Sequence, residues 1–132
     1  MKALNGPRVR WAMVAAWAGA IFILSAQSNL PAPPAPGIDK WEHAVAYALL
    51  AFLLARAWLP HLRRFRPSVR WALVVEAVFA YGIVDEIHQA FVPNRSCDPL
   101  DAAADLAGAL VCAMVCVGLL RGTRWPGRLG LE

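Results

Sequence analysis

The chain has 132 residues, of which 59% are hydrophobic and 17% are charged, and it carries a net charge of +4. This composition and its positive mean hydropathy are too apolar for an ordinary soluble domain of this length, and favour a single membrane domain. The basic residues lie in short clusters beside apolar runs, which is typical of membrane orientation signals rather than of a nucleic-acid-binding surface. We therefore expect a protein whose main partner is the lipid bilayer, with no nucleic-acid partner.

The apolar runs predict four transmembrane helices in one all-α domain that spans residues 1–132. A cleaved signal peptide is the alternative for the first run, but no clear Ala-x-Ala cleavage site follows it. Pro60 ends the second helix, and Pro93 and Pro99 bracket the loop before the fourth. The predicted helices cover about residues 11–30, 39–58, 69–91 and 100–120.

The distribution of charge predicts the orientation of this bundle. Eleven of the thirteen Lys and Arg residues lie in the N-terminal flank, the middle loop and the C-terminal tail. The positive-inside rule then places both termini in the cytoplasm of a multi-pass plasma-membrane protein. It places seven of the nine acidic residues on the opposite side, where Lys40 and Arg95 are the only bases. So much negative charge beside lipid requires compensation or a functional reason.

Helix geometry predicts that these polar groups meet at one level. With a rise of about 1.5 Å per residue, Ser25, His43, Asp85 and Asp105 lie about 20–24 Å above the basic ends of their helices. In a hydrocarbon layer of about 30 Å that height is within the outer leaflet. The same geometry predicts three faces that turn towards the bundle interior: Asp39, His43 and Tyr47; Asp85 and Gln89 with His88 beside them; and Asp101 and Asp105.

Two groups of candidate site residues follow. The candidates for acid/base chemistry or metal ligation are Asp39, His43, Asp85, Glu86, Asp101 and Asp105. The candidates for ligand binding are Lys40, Tyr47, His88, Gln89 and Arg95. Histidine and carboxylates can exchange protons or bind a divalent metal, and Arg95 or Lys40 can bind an anion. The sequence has no standard zinc spacing and no nucleophile motif, so it leaves open whether a metal is bound and which reaction, if any, is catalysed.

Simpler interpretations exist for some of these residues. Asp39 can act as a helix cap and His43 as an interfacial histidine. Arg95 can neutralise Asp98 or Asp85 in a buried ion pair rather than bind a ligand. The equal predicted heights of Asp85 and Asp105 favour a shared polar site over these interpretations.

The ordered motifs resemble those of the VanZ-like family, small membrane proteins named for a teicoplanin-resistance determinant. The motifs are Asp39-Lys40-x-x-His43-x-x-x-Tyr47, Asp85-Glu86-x-x-Gln89, Pro93-x-Arg95 and Asp101-x-x-x-Asp105-x-x-Gly108, and Ser25-Ala26-Gln27 is similar to the end of that family's first helix. The resemblance covers roughly Ile21 to Cys112, and it departs from the family at Cys112, where a second glycine often stands. It implies a multi-pass protein of the cell envelope that is linked in one lineage to low-level teicoplanin resistance.

Three functions are compatible with these features. The first is an enzyme that acts at the outer leaflet on a lipid-linked or cell-wall ligand. The second is a non-catalytic scaffold in which the polar groups form a structural network. The third, a transporter, is disfavoured because few polar groups lie below His43 and Asp85, and Glu76 faces away from them. The oligomeric state is not predicted.

Overall fold

The computed structural model describes residues 6–28, 35 and 37–122, with the side chains of 120–122 left out. Over those residues the chain forms four α-helices and no strand, and each helix is long and apolar enough to cross a membrane. The helices are α1 (Pro7–Ser25), α2 (Ile38–Trp58), α3 (Pro67–Gln89) and α4 (Pro99–Gly122), and a 3-10 turn, Leu59–His61, continues α2. The predicted all-α fold with four membrane helices is confirmed. The side of the membrane that each terminus occupies stays a prediction.

Prolines and one aspartate set the helix starts. Pro7 and Pro67 stand in the first turns of α1 and α3, where the missing N–H of proline costs no hydrogen bond. At α4, the backbone N–H of Leu100 donates to Oδ1 of Asp98 at 2.9 Å, which is the usual contact of an N-capping carboxylate. Asp98 therefore caps the helix that carries Asp101 and Asp105.

The first helix ends earlier than the sequence predicted. It ends at Ser25 rather than near Leu30, and a turn follows it. Oγ of Ser25 lies 2.9 Å from the Phe22 carbonyl oxygen, and a local contact of this kind competes with the helical hydrogen bonds. The proline-rich stretch from residue 31 also disfavours a longer helix, although residues 29–34 themselves lie outside the described part of the chain.

The bundle is organised around α2, which packs most extensively against α4 and also contacts α1 and α3. Gly108 allows the close approach of α4, because a Cβ added there would overlap the carbonyl oxygen of Ala44. The apolar core below the polar residues is formed by side chains such as Leu50, Ala51, Val74, Val78 and Ala109. Large apolar side chains on the outer faces, including Ile23, Val84 and Met114, remain exposed, as expected for helices that face lipid.

Candidate functional site

A cavity of about 730 Å³ lies at one end of the bundle, where α1 and α3 end and α2 and α4 begin. We call this end of the bundle the cavity end. Its apolar wall includes Ile21 and Leu24 from α1 and Ala46 from α2. Its polar wall is formed by side chains from all four helices and the α3–α4 loop, among them Ser25, Lys40, His43, Asp85, Arg95 and Asp101. The cavity thus offers an apolar and a charged surface to one ligand.

Asp85 joins three helices through its carboxylate. The Ser25 hydroxyl donates to Oδ1 at 2.6 Å, and the Tyr47 hydroxyl and Gln89 Nε2 each lie 3.4 Å from Oδ2. Arg95 extends this network, because its Nη2 donates to Oε1 of Gln89 at 2.8 Å. The carboxylate of Asp85 is only 2% exposed, so these donors take the place of water around it.

A second group of polar side chains forms the edge of the cavity, and we call it the rim cluster: Lys40 with Asp39, Asp98 and Asp101. Lys40 Nζ lies 3.0 Å from Asp39, 2.6 Å from Asp98 and 2.5 Å from Asp101. Asp98 belongs to the loop outside the membrane-spanning segments. The hydrogen bond from Lys40, supported by the backbone N–H of Leu100, holds the pKa of Asp98 below its ordinary value.

Beneath the rim lies a buried cluster, defined as His43, Asp85, Glu86 and Asp105. His43 Nδ1 lies 2.8 Å from Oδ1 of Asp105, and its Nε2 lies 3.9 Å from Oδ2 of Asp101. Glu86 accepts the backbone N–H of Asp98 at 2.9 Å and Nε2 of Gln89 at 3.2 Å. The structure therefore brings these four residues together from α2, α3 and α4.

Two predicted ligand-binding residues have unexpected surroundings. His88 lies outside both clusters, and its ring stacks on Phe22 with 4.3 Å between the ring centroids. Arg95 lines the cavity as predicted, but it donates to the amide of Gln89 rather than to Asp98 or Asp85. The carboxylate of Asp98 is instead bound by Lys40.

Sequence reasoning did not assign site roles to three residues that contribute to this arrangement. Ser25 donates to Asp85, and Asp98 connects Lys40 to Glu86. Gly82 provides room for Asp105, because a Cβ at Gly82 would lie 2.7 Å from Oδ2 of Asp105. An isolated glycine within the helix of Asp85 was the available signal, since such a glycine commonly marks a close contact.

The pairing of His43 with Asp105 defines the chemistry that the imidazole can perform. An ionised Asp105 accepts a hydrogen bond from the N–H at Nδ1, which fixes the tautomer and leaves the lone pair of Nε2 available. His43 lines the cavity, so its imidazole can accept a proton from a ligand or coordinate a metal. Asp105 is fully buried, so it does not line the cavity and can affect an organic ligand there through His43.

Comparison with known proteins agrees with the motifs. Residues 10–121 match the family model described as VanZ/LLP1. Neither a search of curated proteins nor a search of solved structures returned a match. The matched region contains the whole rim cluster and the whole buried cluster. Because the match covers most of the chain, this multi-pass membrane protein belongs to the VanZ/LLP1 family.

Proposed function

We propose that the protein acts in the cell envelope by binding a lipid-linked or cell-wall ligand in the cavity. The observation that carries this proposal is a charged cavity of about 730 Å³ at the end of four apolar helices. Its volume falls within the range of about 300–1,000 Å³ that is typical of small-molecule sites. The apolar wall at Ile21 and Leu24 faces the same space as the charged wall, which favours an amphiphile over a purely polar ligand.

Arg95 is the cation best suited to the polar head of such a ligand. Lys40 already contacts three carboxylates, so its charge is compensated within the rim cluster. Within the described part of the chain, the side chain of Arg95 has one hydrogen bond, to Gln89, and no carboxylate within 4 Å. A guanidinium group has five N–H donors, and those of Arg95 that remain can bind a phosphate group.

The orientation favoured by the basic residues supports a ligand outside the cytoplasm. The middle loop carries Arg63, Arg64 and Arg66, and the positive-inside rule keeps such a loop in the cytoplasm. The cavity end is at the opposite end of α2 and α3. In this orientation the cavity opens towards the compartment in which the cell wall is assembled, in agreement with a role resembling that of the teicoplanin-resistance determinant.

A scaffold is the second candidate, and the network of Asp85 favours it. The bonds from Ser25 and Tyr47 to Asp85 tie α1, α2 and α3 together without requiring a ligand. A transporter receives less support, because the hydroxyl of Tyr81 donates to the carbonyl oxygen of Ala18 at 2.7 Å and Glu76 lies exposed on the outer surface. Neither group continues a polar path below the buried cluster.

Ligand binding is tested with the purified full chain and three probes: undecaprenyl phosphate, undecaprenol and the water-soluble nucleotide-linked muramyl pentapeptide. Native mass spectrometry should show retention of the phosphate in preference to the alcohol. Arg95→Gln should weaken phosphate binding roughly ten- to a hundredfold, corresponding to a charged hydrogen bond of about 1.5–3 kcal/mol, and Glu76→Gln should bind as the parent does. Equal retention of phosphate and alcohol would contradict recognition of a lipid-linked anion, and retention of the pentapeptide alone would identify a cell-wall ligand.

Orientation is tested with the cysteine that the chain already contains in the α3–α4 loop. Cys97 is exposed, whereas Cys112 and Cys116 are buried. A membrane-impermeant maleimide should label Cys97 in intact cells, and Cys97→Ser should abolish the labelling. Labelling only after the membrane is opened would place the cavity end in the cytoplasm.

A teicoplanin-sensitivity assay in a sensitive host distinguishes the scaffold from the chemical roles. Asp85→Asn preserves the shape of the side chain and much of its hydrogen bonding. A scaffold predicts that this variant protects cells as the parent does. An acid/base or metal role predicts loss of protection.

A further inference from the structure

Three side chains of the buried cluster offer a set of metal-ligand atoms. His43 from α2, Glu86 from α3 and Asp105 from α4 each present one nitrogen or oxygen atom, and these atoms lie within 4.8 Å of one another. Glu86 and Asp105 are 2% and 0% exposed. Three helices therefore converge on a group of ligand atoms that is shielded from bulk water except on the His43 side, where the cavity lies.

The charges of this group are not balanced by a basic residue. Lys40 contacts Asp39, Asp98 and Asp101. In the described part of the chain, no lysine or arginine nitrogen lies within 4 Å of Glu86 or Asp105, and the only ion-pair partner of Asp105 is His43. Two buried carboxylates and one imidazole carry an excess of negative charge that a membrane-embedded site stabilises poorly.

One carboxylate oxygen in this group has no hydrogen-bond partner among the described residues. Oδ2 of Asp105 is buried and unpaired there, whereas Oδ1 is bound to His43. Oδ2 is directed towards α3 at Gly82, one turn before Glu86, where the absence of a Cβ leaves it space. A buried carboxylate oxygen without a partner is unfavourable, and a proton or a metal ion would supply what is missing.

We propose that His43, Glu86 and Asp105 bind one divalent transition-metal ion, with Zn²⁺ and Mn²⁺ as the fitting classes. One imidazole nitrogen and two carboxylate oxygens are donors that these ions accept. The two positive charges of the ion balance the two carboxylates. The imidazole binds in its neutral form and the two carboxylates bind in their ionised form, because metal ligands bind through free lone pairs.

Three protein ligands leave coordination positions open, which is a feature of metal sites that bind a further ligand. His43 also lines the cavity, so the ion would lie next to the space in which the proposed ligand binds. A contact between the ion and a bound ligand rests on the proposed function, but binding of the ion alone does not. An experiment that uses only the metal as its probe can therefore disprove metal binding without testing ligand binding.

The test uses the full chain in detergent, stripped with a chelator and titrated with Zn²⁺ and, separately, with Mn²⁺. Calorimetry and elemental analysis should give one tightly bound ion of at least one of the metals per chain. Asp105→Asn and Glu86→Gln should each weaken binding by about tenfold or more, by analogy with the loss caused by removing outer-shell partners of metal ligands. Gly82→Ala should also weaken binding, because its Cβ would approach Oδ2 of Asp105 to 2.7 Å.

One control variant separates this site from other acidic groups. Glu76→Gln removes an exposed carboxylate from α3, so it should bind the metal as the parent does. Helix content by circular dichroism and elution as a single species show whether each variant is folded. If Asp105→Asn does not fold, metal binding by Glu86→Gln tests the proposal. The proposal is overturned if the parent binds neither metal, or if a folded Asp105→Asn or Glu86→Gln variant binds with the affinity of the parent. Equal weakening by Glu76→Gln would also overturn it, since the loss would then not be specific to the three proposed ligands.

Discussion

The rim cluster and the buried cluster are two layers of the same end of the bundle, but their charges are balanced differently. In the rim cluster, one lysine contacts three carboxylates that are partly open to solvent. In the buried cluster, Asp85, Glu86 and Asp105 are at most 2% exposed, and the only basic side chain among them is His43. Lys40 thus lies in the layer that water reaches more easily, whereas the buried acids contact hydrogen-bond donors and His43.

Helical spacing produces the two layers. Lys40 and His43 are one turn apart on α2, and Asp101 and Asp105 are one turn apart on α4, which separates the pairs by about 4.5–6 Å along the helices. Lys40 meets Asp101, and His43 meets Asp105. Any change that shifts α2 relative to α4 should therefore disturb both layers at once.

The largest effect is expected from Gly108→Ala, because both layers require the close approach of α2 and α4 that Gly108 allows. The added Cβ would overlap the backbone of Ala44, and backbone atoms cannot move aside as a flexible side chain can. We expect destabilisation of about 1–3 kcal/mol or more, as is typical of overpacking. Thermal unfolding in detergent, followed by circular dichroism, measures this loss.

Gly118→Ala is the matched control on the same helix. A Cβ at Gly118 has no heavy atom within 4 Å, and alanine favours a helix over glycine by about 1 kcal/mol. The control should therefore unfold at or above the parent temperature. Equal stability of Gly108→Ala and Gly118→Ala would show that the close approach of α2 and α4 is not required.

Much of this layered site could be predicted from the sequence because it follows from helix periodicity. The spacing of Asp39, His43 and Tyr47 predicted one face of α2, and counting along each helix predicted that Ser25, His43, Asp85 and Asp105 lie at similar heights. The contacts of Ser25 with Asp85 and of His43 with Asp105 agree with those heights. Rise and angle per residue are nearly constant in a helix, so they can be applied before the packing is known.

The remaining features depend on contacts that periodicity does not encode. The partner of Arg95 is set by the α3–α4 loop, in which Asn94 adopts a left-handed backbone conformation with φ of 62°. The importance of Gly82 arises from Asp105 on another helix. The early end of α1 depends on the hydroxyl of Ser25, which contacts both its own helix and Asp85. Each feature requires the arrangement of two elements, which a pattern along one element does not provide.

An intermediate effect is expected from Asp85→Ala, which removes the central acceptor of the buried cluster. The hydroxyl groups of Ser25 and Tyr47 and the amide of Gln89 would each lose an acceptor. A buried donor left without a partner costs about 1–3 kcal/mol, so thermal unfolding should occur at a lower temperature. Asp85→Asn should lose less, because its amide oxygen still accepts a hydrogen bond. Equal losses in the two variants would show that the negative charge, rather than the acceptor, stabilises the network.

The smallest effect is expected from Asp98→Asn in the rim cluster, and its pH dependence distinguishes the two layers. Lys40 lowers the pKa of Asp98 in the folded protein. A carboxyl group with a lowered pKa stabilises the fold above its unfolded pKa of about 3.9, and this contribution is lost as the pH falls through the folded pKa. Asparagine still caps α4, so the variant removes the charge and little else.

The difference in melting temperature between parent and variant should be constant from pH 7 to about pH 5 and should disappear in more acidic solution. In a Lys40→Met background the pH-dependent effect should be smaller, because only the backbone N–H of Leu100 then lowers the pKa of Asp98. An undiminished effect in that background would contradict the assignment of Lys40 as its main cause.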